Sequence, residues 1–259
     1  MRVGLTLALM ACGSTGSEGS LPAPLDQYGV VTVADLGVDA DEVLRVTGDF
    51  YAVDEPGWVP VDPIPESGCA PLVLAGAPLT RVSAGALTLG VRGEVRVNLP
   101  AAACADTDAD CLADAGYFGE WQGTSPWRED LELHVEGSAY PAVRLDEAVR
   151  MPSERVRITA PVDGAELPLP FTVRWSAAAD GTRAVVLVGS LDATGTLACV
   201  PEARTSMLID EELLALLGTT ITSVVVRVER RRQMDHTVAP GVGLTVRGTT
   251  ADAVTVKPL

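Results

Sequence analysis

One lysine and two histidines are all that 259 residues supply of those types. His134 alternates with Leu133 and Val135, so it falls on the wet face of a strand. His236 follows Arg230-Arg231-Arg232-Gln233-Met234-Asp235 and reads as part of a charged hairpin end. No GxSxG, HExxH or P-loop pattern accompanies them, so the sequence gives little support to enzyme chemistry. A CxxC pair is also missing, which argues against cysteine-held zinc. No stretch reaches the roughly 18 apolar residues of a membrane-spanning helix. Aromatics make up 4% of the chain against 47% hydrophobic residues. Val, Leu and Ala must therefore fill the cores, and valine favours strands.

Acidic residues outnumber basic ones, 35 to 19, and nearly all of the excess lies in one half. Residues 12–152 carry 23 acidic and 7 basic side chains, whereas residues 153–259 carry 12 and 11. That step places a boundary near residue 152. It opposes nucleic acid or anionic lipid as a partner of the first half, and otherwise serves solubility.

The chain starts with Met1-Arg2, continues with the apolar run 3–10, and reaches Ala11 and Cys12. A basic start, an apolar run of roughly 7–15 residues and a small residue before the cleavage point is the order of a signal peptide. Cysteine directly after the small residue makes the segment resemble the lipobox of bacterial lipoproteins, although Met10 stands where that family prefers Ser, Ala or Thr. The resemblance implies removal of residues 1–11 and lipidation of Cys12, which would anchor the protein to a membrane. Gly13, in place of Asp, implies the outer membrane as the destination. Residues 12–27 read as a flexible tether. Arg in near-total preference to Lys also makes the chain similar to uncharacterised lipoproteins of GC-rich myxobacterial genomes.

Setting Cys12 aside leaves an even set, Cys69, Cys104, Cys111 and Cys199, in an oxidising compartment. Several pairings remain open. The polar segment between Cys104 and Cys111 makes that pair the natural local bridge, contributing about 2.5 kcal/mol by chain entropy. Cys69 would then pair with Cys199 across the boundary and lock two domains together.

Segments 29–33, 42–51, 79–89, 94–99, 131–136 and 142–145 form short strand-like runs, most of them alternating apolar and polar residues. Period two marks antiparallel strands with one buried face. Segment 54–71 holds Pro56, Pro60, Pro63 and Pro65 and is expected as loop. Many short strands with frequent turns predict a sandwich over 28–152. The second half opens with 155–161, a turn at Asp163-Gly164 and the strand 171–176, where Phe171, Val173 and Trp175 share a face. Here the chain resembles bacterial immunoglobulin-like and fibronectin-III-like modules, which implies a second sandwich over 153–259. Further strands are expected at 185–188, 197–200, 224–228, 244–247 and 253–257. One helix is expected over 210–218, capped by Asp210, striped by Leu213, Leu214 and Leu217, and closed by Gly218. The fold class is all-β: two antiparallel β-sandwich domains, the second immunoglobulin-like with one short helix.

Asp106, Asp108, Asp110 and Asp114 surround Cys111. Alternating carboxylates on a tight loop suit a hard cation such as calcium, which takes roughly 6–8 oxygens. Their spacing follows an EF-hand-type loop in part, but Cys111 occupies its glycine position and Tyr117 the place of its bidentate Glu. The alternative is a solvated acidic loop stapled by Cys104 and Cys111. No other cofactor is expected. Nearby, Tyr117, Trp121 and Trp127 resemble the sugar-stacking rings of carbohydrate-binding sandwiches; alternatively they plug the core. The basic run 227–232 reads as a strand end able to meet an acidic partner. These features predict a lipid-anchored, non-catalytic binding or structural module of the cell envelope, with an unknown protein or glycan as partner. The alternative is a calcium-dependent hydrolase or carbohydrate-binding protein, and a hydrolase needs two carboxylates about 5–10 Å apart in a cleft.

Overall fold

In the computed structural model the described residues are 17–19, 21, 24–35, 44–55, 58, 64–72, 79–100, 116–190, 195–218 and 221–259. Cys12, the expected calcium residues Asp106, Asp108, Asp110 and Asp114, and the pair Cys104 and Cys111 lie outside them.

The first half supplies β1 (Ser17–Gly19), β2 (Gln27–Asp35), β3 (Leu44–Val53), β4 (Gly68–Pro71), β5 (Leu79–Arg81), β6 (Leu87–Val91), β7 (Glu94–Leu99), β8 (Tyr117–Glu120), β9 (Asp130–Val135) and β10 (Val143–Arg150). The second supplies β11 (Ile158–Ala160), β12 (Ala165–Leu167), β13 (Phe171–Trp175), β14 (Ala184–Ser190), β15 (Thr196–Val200), β16 (Ser206–Ile209), α1 (Glu211–Ala215), β17 (Val224–Ala239) and β18 (Val242–Pro258). The molecule is thus almost entirely β, as its valine-rich, aromatic-poor composition predicts.

Two cores organise these strands. In the first, the sheet β10-β9-β6-β7 covers β2, β3 and the far end of β18. Leu87, Leu89, Leu131 and Leu133 there meet Val31, Val33, Val46 and Phe50. In the second, β11-β13-β16 covers β15-β14-β17-β18. Val173 and Trp175 meet Val186, Val188, Val226 and Val254. Three strands of one sheet on four of the other, with β12 parallel to the end of β18, is an immunoglobulin-like sandwich. The alternation of β13 drives Phe171, Val173 and Trp175 inward, as the sequence pattern requires. The helix is the expected one, though shorter. Asp210 accepts the Leu213 amide at 2.9 Å, and Leu214 and Leu217 are buried.

The hairpin β17–β18 belongs to both cores. Its strands pair from Val224↔Val256 to Ala239↔Val242 and turn at Pro240-Gly241, where glycine takes a φ of 73°. At ~3.4 Å per residue β18 is ~55 Å long. Val224, Val226, Val228, Val254 and Val256 lie in the second core, and Val242, Leu244 and Val246 in the first. The segments 244–247 and 253–257, expected as separate strands, are therefore one strand. The expected hairpin end at 230–236 is strand interior. Strand alternation sends its consecutive arginines to opposite faces, so a strand can carry them provided each face finds partners. β18 also pairs in parallel with β2, so this sheet is mixed.

A second crossing runs the other way. β4, from the first half, pairs antiparallel with β15 on the edge of the second sandwich. Cys69 and Cys199 face each other in that register and form a disulfide, the pairing that cysteine parity predicts. Its end at Pro71 suits an edge strand, since proline offers no ladder N–H. Ser17–Gly19, inside the expected tether, lies in parallel register with Gln233–Asp235, so part of that tether is paired with the folded body.

Candidate functional site

The three aromatic side chains expected to stack on sugar are committed to the first core. Tyr117 is buried, and its hydroxyl donates to the Gly85 carbonyl at 2.6 Å and accepts the Ala84 amide at 3.1 Å. Trp121 is buried and its indole N–H donates to the Thr124 carbonyl at 3.0 Å. Trp127 packs half-buried against the same core. In a chain with so few aromatics, large rings beside a sheet are consumed by packing. The ring that remains outside is Phe118, 62% exposed on β8. Strand alternation explains the division, because Tyr117 and Phe118 are adjacent and point to opposite faces.

The same alternation divides the basic run. Arg230 and Arg232 point into the seam between the sandwiches. Arg230 is 2% exposed and donates to the Ser176 carbonyl. Burial lowers its pKa, while Glu154 and Asp180 act against that shift. Arg232 pairs with Asp180 at 2.9 Å. Burial pushes the Asp180 carboxyl up, but hydrogen bonds from Thr182 and the charge of Arg232 prevail and hold it at about 2. The seam also contains Asp35 and Arg155, 2.7 Å apart and both largely buried.

Arg227 and Arg231 point the other way, onto the outer face of the shared sheet. Glu229 lies between them, with Arg227 Nε donating to it at 2.7 Å and Arg231 Nη2 within 3.5 Å. The registers of β17, β18, β2, β3 and β8 then define two adjacent rows across five strands. One row runs Arg231, Thr249, Ala34, Arg45, Glu120. The next runs Gln233, Arg247, Thr32, Thr47, Phe118. All of these except Glu120 and Gln233 line, together with Arg227 and Glu229, an open groove of about 380 Å³. Arg247 Nε donates to Gln233 Oε1 at 2.8 Å, and the Arg45 guanidinium stands 5.9 Å from the centre of the Phe118 ring. Gln233 and Phe118 are polar and aromatic neighbours of these two arginines. Among the described residues, four arginines and one glutamate thus line a groove in a chain whose net charge is −16. Half-to-halfway chain separations hid this face from sequence inspection. The first-half contributors were visible only as polar positions of separate strands.

Elsewhere the charges are spent locally. Over Trp121, Arg92 pairs with Glu129 at 2.6 Å and Arg96 pairs with Glu94. His134 is exposed on β9, as expected. His236 is half-buried on β17, its Nε2 2.7 Å from the Ala148 carbonyl. Among the described residues, no group of three or more His, Cys, Asp or Glu side chains is placed to hold a metal ion. No described helix is long and apolar enough to cross a membrane.

No family model matches the chain, and no curated protein matches it. Among solved structures, fibronectin(III)-like modules of Clostridium thermocellum CbhA align over 91% of each chain, with 11% identity and a TM-score of 0.25.

Proposed function

We propose that the protein is a non-catalytic binding or structural module of the cell envelope, acylated on Cys12 and carried on the outer membrane. The observation that supports this reading is the hairpin shared by both cores. Two sandwiches joined by a linker swing independently, whereas these are held as one body by β17–β18 and strapped by Cys69–Cys199. Such a body keeps a surface at a fixed place and orientation relative to its anchor. A disulfide also fits an oxidising compartment outside the cytoplasm. Calcium held by Asp106, Asp108, Asp110 and Asp114, which precede β8 in the chain, belongs to the same proposal as a structural ion.

Expression of the full chain in a Gram-negative host with an alkyne analogue of palmitate tests the anchor. The native chain should carry the label and sediment with outer membrane. Cys12→Ser should lose the label and appear in the soluble fraction. An unlabelled native chain that retains Met1 would overturn the reading.

A further inference from the structure

We infer that the arginine groove on the shared sheet binds an anionic polysaccharide, a chain of sugars bearing carboxylate or sulfate groups. This deepens the binding-module reading and rests on it.

Three features of the groove point to that class. Its cations are arginines, whose planar forks match carboxylate and sulfate oxygens in pairs. Arg227 and Arg231 are 26% and 19% exposed at their side chains, so much of their desolvation precedes ligand arrival. Between and beside them stand the hydroxyls of Thr32 and Thr47, which can donate to or accept from sugar hydroxyls. At the end of the second row Phe118 offers an apolar face, as required to stack on a sugar ring. Arg231 and Arg45 are three strands apart, ~14 Å at the ~4.8 Å strand spacing, with Arg247 in the adjacent row. That span suits several linked sugars rather than one small anion.

Competing anionic partners fit less well. An extended acidic peptide binds sheets chiefly by adding a strand at an edge. Here β18, β2 and β3 are interior strands whose ladder groups are already paired. A flat anionic bilayer would meet the whole body, whose net charge is −16, together with Glu120, Asp49 and Asp235 around the groove. A slender polymer experiences mainly what lies within about 8 Å of it at physiological salt, which is the groove and its nearest carboxylates rather than the whole acidic body.

The test is binding of the native chain, in 0.15 M salt (~8 Å screening), to polygalacturonate, dextran sulfate, neutral dextran, polyglutamate and phosphatidylglycerol vesicles. Saturable binding is expected to at least one of the two acidic polysaccharides, and not to dextran, polyglutamate or vesicles. Arg45→Ala and Arg247→Ala should each weaken it by about 10-fold or more. Phe118→Ala should weaken it by about 2- to 10-fold. Arg45→Glu, at an exposed position of β3, should abolish it while the melting temperature stays near native. No binding to either acidic polysaccharide, equal binding to polyglutamate or vesicles, or affinity unchanged in Arg45→Glu would each overturn the inference. None of these results touches the lipid anchor, which the palmitate label reports separately. Shortening of a polymer during incubation would instead overturn the non-catalytic reading.

Discussion

Asp35 and Arg155 form an ion pair at the seam of the two sandwiches, Nε to Oδ2 2.7 Å, with side chains 3% and 11% exposed. Asp35 ends β2 of the first sandwich, and Arg155 precedes β11 of the second. Removing one partner leaves the other charge stranded in a low-dielectric seam. Arg155→Ala should therefore cost about 3–5 kcal/mol in urea unfolding, whereas replacing both residues by leucine should restore most of it. A double variant as unstable as the single one would show that the pair stabilises through its attraction and not merely by mutual neutralisation.

The Cys69–Cys199 bridge closes a loop with a sequence separation of 130 residues. Reduction, or Cys199→Ser, should lower stability by about 3–5 kcal/mol through the freedom returned to the unfolded chain. The circular dichroism of the native state should hardly change, because β17–β18 still runs through both cores. Thermal scans with and without reductant check this directly.

Asp180 imposes an acid limb on stability. Its folded pKa, about 2, lies below the ordinary value of 3.8. Its contribution is complete above the unfolded value and is lost as pH falls from about 4 to about 2. Asp180 lies on an exposed stretch of chain although its side chain is only 17% exposed, so with solvent screening the effect should be roughly 1 kcal/mol. Melting curves between pH 5 and pH 2 (roughly the window of acid linkage) should fall less steeply for Asp180→Asn than for the native chain.

Tyr140 lies fully buried, its hydroxyl donating to the Gly243 carbonyl at 2.8 Å and its ring 4.7 Å from that of Phe50. Burial, then Tyr28, raise its pKa well above the ordinary value. Stability drawn from the neutral phenol is complete below the unfolded value and declines as pH climbs past it. Tyr140→Phe preserves the ring but leaves Gly243 without that donor, at a cost of about 1–2 kcal/mol. Alkaline difference spectra should show one tyrosine ionising only with unfolding, and Tyr140→Phe should remove that phase.

The sequence made local features legible. Period two in 131–135 and 171–175 identified β9 and β13, and Asp210 with its leucine stripe identified α1. Parity, once Cys12 was set aside, together with the local pairing of Cys104 and Cys111, left Cys69 to face Cys199, as the disulfide shows. The length of β17 and β18 was hidden for a definite reason. Charged residues at 229–236 look like solvent-facing chain until the seam supplies Ser176 and Asp180 for Arg230 and Arg232, and strand alternation turns Arg227 and Arg231 away. The groove was hidden for another. Arg45, Thr32 and Phe118 come from three first-half strands, and Arg231 and Arg247 from the shared hairpin, so only the registers bring them together. First-half acidity, summed over 12–152, gave no sign that one of its faces joins a cationic surface.

The order of the chain makes β18 a late arrival. It follows every strand it pairs with, including β2, made more than two hundred residues earlier. Until it appears, the first sandwich lacks Val242, Leu244 and Val246 from its core and the partner of β2, although its other strands have long been synthesised. Contacts of such long separation close slowly. The architecture that makes the finished body rigid thus couples the two sandwiches in folding as well, since neither core is complete before the same strand has docked.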